Sequence, residues 1–332
     1  MVDAPWASRL QDLADLTTPM TLRVAATLRL ADHLADGVSG IDELARRTGT
    51  HARSLHRVLR HLVAMNVFTE PSPGSFELAD LGKELCDHGP GDARTWLDLG
   101  TAVGRVDLAL TNLLDVVRTG EPAPGENTWS ALDADRALSD SFDDQMASGA
   151  AAKAPGLAAG YDWGTVERVV DVGGGNGTLL TALLLAHPHL RGTVVDRDGP
   201  IDNARRKFDG AGLTARASGA AQSFFDPLPA GADVYVICGV LHDWDDEHAG
   251  RILARAAEAA GSHGRVLVLE SLLEPSSARS STTDMDLLMM VTTGGRARPF
   301  EDMVALGAAA GLKVLSRKAL TAPHTLIEFA AR

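Results

Sequence analysis

The chain has 332 residues, 45% of them hydrophobic and 23% charged, with 31 Lys and Arg against 44 Asp and Glu for a net charge of −13. That length suggests two domains, and that composition excludes disorder and collagen-like repeats. The acidic balance disfavours general affinity for nucleic acid or anionic membrane. Apolar stretches are broken within about ten residues, far short of a membrane span. The segment MVDAPWASRLQDLAD has no apolar core of a secretory signal, and Cys86 and Cys238 alone make no disulfide framework, so a cytoplasmic protein is expected.

In chain order, Leu10, Leu13, Leu16, Met20, Val24, Leu28 and Leu30 recur at helical spacing. A short helix with Leu44 and Ala45 then ends at Gly49, and a second helix presents Leu55, Val58, Leu59, Leu62 and Val63 on one face. This is helix-turn-helix grammar. FTEPSPGSFELA follows as a two-stranded wing around Pro71, Pro73 and Gly74. Residues 92–150 read as helical, interrupted at Gly120–Gly125 by EPAPG, and the Ala-rich run 150–160 reads as a helix entering a connection.

From Tyr161 the pattern changes. VERVVDV, GTVVDRD, ADVYVICGVL and RVLVLES are buried strands, with helices after the first two and over about 246–260. NARRKF begins the second of those helices, KVLSRKAL and HTLIEFAA close the chain as edge strands, and a helix near Glu301–Ala310 precedes them. The alternation predicts an α/β fold with a doubly wound, mainly parallel sheet.

The strongest motif is Asp171-Val-Gly173-Gly174-Gly175-Asn176-Gly177, which closes one strand and opens a helix. Glycines there let a ligand approach the backbone, although a plain tight turn also favours them. The spacing lacks the last glycine of a dinucleotide fingerprint, and no Lys-Ser/Thr pair makes a phosphate loop. Asp196 ends the next strand, where an acid accepts from ribose hydroxyls; the duller reading is an exposed helix cap, a role Asp198 serves equally well. Ribose without pyrophosphate points to an adenosine such as S-adenosylmethionine.

His242, in Cys238-Gly-Val-Leu-His242-Asp243-Trp244, leaves the sheet on the same rim as the glycine loop, matched to a general base near neutral pH. Asp245, Asp246 and Glu247 suit a helix start. A metal site of His242, Asp245 and His248 is the competing reading, but these do not share one helix face. Glu270 ends RVLVLES on the adjacent strand, where a carboxylate orients the imidazole.

Together DVGGGNG, VVD, SFFDPLP, LHDWDDE and VLVLE resemble the S-adenosylmethionine-dependent small-molecule O-methyltransferases, most closely the bacterial subgroup acting on aromatic polyketides and naphthoates. The resemblance spans nearly the whole chain. It implies a Rossmann-like class I methyltransferase fold, an N-terminal winged-helix dimerisation domain at 1–90, a helical connector at 91–160 bordering the substrate pocket, and a catalytic domain at 161–332. It implies Asp171 and Gly173 beside the methionine moiety, Asp196 on the ribose, Ser223 and Phe224 facing the adenine, and Met146 and Cys238 bordering the cofactor. His242 would be the base, Glu270 its positioning acid and Asp243 a substrate contact. The expected partners are a small aromatic substrate and a second copy of the chain, with no nucleic acid, membrane or metal.

Three departures from the family pattern stand out. Ser223 replaces an acid, Cys238 a lysine, and Ala297, after Gly294-Gly295-Arg296, the second glutamate that flanks the histidine in plant members. That last loss keeps open a family member turned to hydroxylation or decarboxylation. Candidate acceptor residues are Met285, Met289, Met290, Phe300 and Trp96, since methionines adapt to flat rings although they also serve as core. Arg296 or Arg9 would pair with an acceptor carboxylate. The rival from another class is a DNA-binding regulator reading a groove with Arg53, Arg57 and Arg60, in a stretch holding five Arg against Asp42 and Glu43.

Overall fold

The computed structural model describes residues 5–87, 89, 92–122, 129, 132, 134–274, 280–321 and 323–332. Residues 123–125 of the EPAPG break lie outside them. The chain forms two compact units, Met1–Asp107 and Leu108–Arg332.

The first unit opens with α1 (Pro5–Leu13), α2 (Thr17–Thr27) and α3 (Leu30–Ala35). The helix-turn-helix follows as α4 (Ile41–Thr48) and α5 (Ala52–Ala64). Gly49 stops α4 at φ +65°, a left-handed geometry that glycine adopts without a Cβ penalty. Leu55, Leu59 and Leu62 of α5 bury against Phe68 and Phe76, which come from the wing strands β1 (Phe68–Ser72) and β2 (Ser75–Leu78). Short helices α6 (Ala93–Leu97) and α7 (Ala102–Val106) complete the unit.

The second unit contains α8 (Leu113–Thr119) and a long helix, α9 (Arg136–Gly160). Then come β3 (Arg168–Val172), α10 (Thr178–Ala186), β4 (Arg191–Asp196), α11 (Asp198–Gly210) and β5 (Ala217–Ala221). After these follow β6 (Val234–Cys238), α12 (Asp246–Ala260), β7 (Arg265–Ser271), α13 (Ser281–Thr292), α14 (Phe300–Ala309), β8 (Leu312–Ala319) and β9 (His324–Ala331). The seven strands run in the order β5-β4-β3-β6-β7-β9-β8, parallel from β5 to β7 and antiparallel beyond. The doubly wound sheet is as expected.

Three details of the sequence reading need correction. HTLIEFAA is not an edge strand: β9 sits between β7 and β8, which is why Leu326, Ile327 and Phe329 are all buried. The helix expected from NARRKF starts earlier, at Asp198, because Pro200 falls in its first turn, where no intrahelical N–H is needed. The edge strand β5 is ASGAA, whose small residues carry no strand pattern.

One apolar core, including Trp163, Leu180 and Phe208, covers one sheet face beneath α9, α10 and α11. The other, including Tyr235, Ile252 and Phe329, lies under α12 and α14. The strand order reverses between β3 and β6, and a crevice forms outside their carboxyl ends.

Candidate active site

That crevice is a cavity of about 790 Å³ lined by the glycine loop after β3, the ends of β4 and β6, and one face of α9. Asp171, at the strand end, is 1% exposed, and neither carboxylate oxygen accepts a hydrogen bond from a described residue. Burial, reinforced by Asp196, pushes its carboxyl up to about 7. The glycines pack as closely as the motif suggests. A Cβ on Gly174 would stand 2.5 Å from the Asp171 carboxylate, and one on Gly173 2.7 Å from Val240.

Asp196 accepts the Gly175 N–H at 2.8 Å and the Arg197 N–H at 2.7 Å, one on each oxygen, which ties the second strand end to the loop. Phe224 lines the cavity and meets Trp244 edge-on at 5.9 Å. Ser223 also lines it, its hydroxyl accepting the Phe225 N–H at 3.2 Å. Met146 and Cys238 are in the wall, and burial lifts the Cys238 thiol to about 12.

His242 stands on a 3₁₀ turn, Leu241–Asp243, directly after β6. Its Nδ1 lies 2.7 Å from Glu270 Oε2, while Glu270 Oε1 accepts the N–H groups of Val240 and Leu241 at 3.1 and 3.0 Å. Its Nε2 is 3.5 Å from Asp243 Oδ1. Burial disfavours the imidazolium, but the two carboxylates outweigh it and lift the histidine to about 9. Burial also raises Asp243, to about 6, with His242 and Lys153 pulling against it. Asp243 lines the large cavity; His242 stands behind it, in a small adjoining pocket with Glu270.

The turn is fixed from outside. Arg298, 3% exposed, donates to Leu241 O at 2.6 Å and Trp244 O at 2.7 Å, with its Nε on Asp246 at 2.9 Å. Gly295 presses on the same backbone: a Cβ there would be 2.2 Å from the His242 carbonyl oxygen. Ala297 is buried, its N–H donating to Asp286 at 2.7 Å, so the second carboxylate facing His242 is that of Asp243.

The structure does not bring Met285, Met289, Met290, Arg296 or Phe300 into the cavity wall. The methionines ride on α13, which packs beside the His242 turn. Phe300 joins the core, with the Arg317 guanidinium over its ring, and Arg296 pairs with Asp302 and Asp246. Trp96 and Arg9 belong to the first unit, where both are exposed. His248 is held by Asp245 at the start of α12, and among the described residues no group of three or more His, Cys, Asp or Glu is placed to hold a metal ion.

Sequence reasoning missed several wall residues: Asp143 and Lys153 on α9, and Trp129, which stacks on Trp244 at 6.1 Å. Their signal is positional. Ser139, Asp143, Met146, Ala150 and Lys153 recur at three- and four-residue steps along one helix face.

Comparison with known proteins agrees with this arrangement. Residues 110–313 match the O-methyltransferase domain model, and residues 11–87 the O-methyltransferase dimerisation domain. A 2,7-dihydroxy-5-methyl-1-naphthoate 7-O-methyltransferase of Streptomyces carzinostaticus is 49% identical over 92% of this chain and 92% of its own. An aclacinomycin 10-hydroxylase of Streptomyces purpurascens is 44% identical over 96% of this chain and 87% of its own. Among solved structures, an O-methyltransferase from neocarzinostatin biosynthesis, in complex with S-adenosylmethionine and 2-hydroxy-5-methyl naphthoic acid, superposes with a TM-score of 0.92. It is 46% identical, over 97% of this chain and 98% of that one. The chain belongs to the S-adenosylmethionine-dependent O-methyltransferase family.

The residues present fit that cofactor. Asp171 offers an ammonium a buried carboxylate that has no hydrogen-bond partner among the described residues. Asp196, at the end of β4 beside the glycine loop, brings a carboxylate to the cavity wall, an acceptor suited to hydroxyl donors. Phe224 supplies an aromatic face to the cavity.

Proposed function

We propose that this enzyme methylates a phenolic hydroxyl of an aromatic, polyketide-derived acceptor, a hydroxynaphthoic acid being the class its relatives suggest. The carrying observation is the single cavity that runs from Asp171 and Asp196, past Phe224, to Asp243, with the Glu270–His242 pair immediately behind. When bound, S-adenosylmethionine supplies a methyl group already activated by a positively charged sulfur. The protein must therefore align an oxygen and accept its proton.

Asp171 binds the amino-acid end, Asp196 the ribose, and Ser223 and Phe224 the adenine. Met146 and Cys238 border the sulfur end. Asp243 orients the acceptor hydroxyl toward His242, and Glu270 holds the imidazole through Nδ1. A phenol of pKa about 10 is barely ionised at neutral pH, so a base matters. With His242 lifted to about 9, the imidazolium prevails at pH 7. The neutral imidazole that accepts the phenol's proton therefore becomes more abundant as pH rises toward 9, and the imidazolium so formed pairs with the phenolate oxygen until the methyl group is transferred to it. Residues 1–90 serve as the dimerisation part, 91–160 border the acceptor, and 161–332 carry cofactor binding and chemistry.

The test is incubation with methyl-labelled S-adenosylmethionine and a panel of hydroxynaphthoic acids and naphthols. A labelled methyl ether is expected. Hydroxylated product without label would replace this reading with the chemistry named for the 44%-identical relative, and decarboxylated product without label would refute it as well.

A further inference from the structure

We propose that Lys153 and Asp171 form a two-ended clamp for the amino-acid part of the cofactor, Lys153 taking its carboxylate and Asp171 its ammonium. The inference rests on the methyl-donor reading above and adds a binding residue to it.

The amino-acid end of S-adenosylmethionine is a zwitterion, so a site that holds it needs one group of each sign a few ångströms apart. Asp171 is the negative group, buried and without a hydrogen-bond donor among the described residues. The lysine of the family pattern is missing at the end of β6, where position 238 is a cysteine. Lys153 enters the same cavity from α9. It stands on α9 one helical repeat beyond Met146, on the face that lines the cavity. Its Nζ lies 3.1 Å from where a Cβ on Gly239 would stand, which puts the ammonium over the end of β6. Gly239 has φ +66°, and its missing side chain leaves that space to the lysine.

Electrostatics locate the group in the same way. Both the Lys153 charge and the Asp171 carboxylate act on the buried Cys238 thiol, in opposite senses, so both lie near it. The other basic residues of the cavity wall have partners of their own: Arg136 donates to Asp140 and Asn203, and the Arg197 guanidinium lies over the Trp129 ring. Lys153 also acts on Glu270, His242 and Asp243 without a direct hydrogen bond to any of them. A carboxylate bound against it would lie within reach of that cluster.

Calorimetry on the full-length protein tests the clamp with two probes: S-adenosylhomocysteine and its decarboxylated analogue, an aminopropylthio-adenosine. Lys153→Met should weaken S-adenosylhomocysteine by about 10- to 100-fold, the loss of one charge-assisted contact, and leave the decarboxylated analogue unchanged. Lys153→Arg should retain most of the affinity. A thermal melt of the free Lys153→Met protein establishes that it is folded. Equal losses for both probes, or none for either, would overturn the clamp. So would a loss confined to titration with a hydroxynaphthoic acid, which would assign Lys153 to the acceptor. Because binding needs no turnover, a wild-type protein that binds S-adenosylhomocysteine but methylates nothing refutes the proposed function and leaves the clamp standing.

Discussion

At the scale of single residues, the site stores its binding capacity as unsatisfied charge. Asp171 is the sharpest case, since burial raises its carboxyl from 3.8 to about 7 in the free protein. The folded state therefore holds the proton more tightly than the unfolded chain does. This favours folding fully below about pH 4 and is lost as pH rises through about 7. Asp171→Asn removes the buried charge while keeping the shape. It should raise the melting temperature of the free protein at pH 8, with little change at pH 4, and weaken S-adenosylhomocysteine by about 10- to 100-fold. Melts at both pH values and calorimetry check this; a destabilised variant at pH 8 would mean that the carboxylate makes a favourable contact.

His242→Ala should lower methylation by about 10²- to 10⁴-fold, with cofactor affinity retained. The wild-type rate should climb from pH 7 toward a plateau near 9, in keeping with the direction in which Glu270 and Asp243 shift the imidazole. Glu270→Gln removes one of those anions, so its pH profile should move to lower pH, and an unmoved profile would separate Glu270 from the proton transfer. Asp171, Asp196, His242 and Glu270 were legible in the sequence because each ends a buried strand or directly follows one. Lys153 was not, because it sits in an Ala-rich helix where only the three-dimensional wall of the cavity tells one face from another.

At the scale of elements, the catalytic turn is shaped by the segment that follows α13. Gly295 lies against the His242 backbone, and Arg298 bridges Leu241 O and Trp244 O across the turn while paired with Asp246. Arg298→Met leaves those carbonyls without their donor, at a cost of about 1–3 kcal/mol each. The variant should unfold at lower denaturant. Any retained activity should show a shifted pH profile and a lower kcat, with S-adenosylhomocysteine affinity nearly unchanged. An unaltered profile would mean that Arg298 supports the fold without positioning His242. None of this was visible in GGRARPF as a string, where Arg296 drew attention as a free charge and Arg298 drew none. The same blindness misplaced Phe300 and the α13 methionines. Helical spacing shows that they share a face, but not whether that face meets a cavity, a core or a neighbouring helix. Strand β5 was illegible for a different reason: ASGAA has neither alternation nor bulk, and it is a strand because β4 offers its edge.

At the scale of the whole molecule, the first unit shows what it would do with a partner. Leu10, Leu13 and Leu16 are 59%, 74% and 73% exposed, an apolar cluster that an isolated unit leaves in water. Leu13 and Leu16 fall at the start of the region that matches the dimerisation domain, residues 11–87, with Leu10 just before it. Arg53, Arg57 and Arg60 are also exposed, on α5, as a groove-reading helix would require. The two surfaces predict different behaviour in solution. Apolar burial between copies should give a dimer near twice 34.9 kDa that persists in high salt, because hydrophobic association is not screened by ions. Binding through the arginines should instead yield a complex with duplex DNA that dissolves as salt rises. The net charge of −13 opposes the second outcome. Sedimentation velocity should therefore show the dimer, with no duplex bound even at low salt. Leu13→Asp together with Leu16→Asp should shift it toward monomer by placing charge in the buried patch. A dimer that survives both substitutions would move the interface off these leucines, and a salt-sensitive duplex complex would restore the regulator that the helix-turn-helix alone suggests.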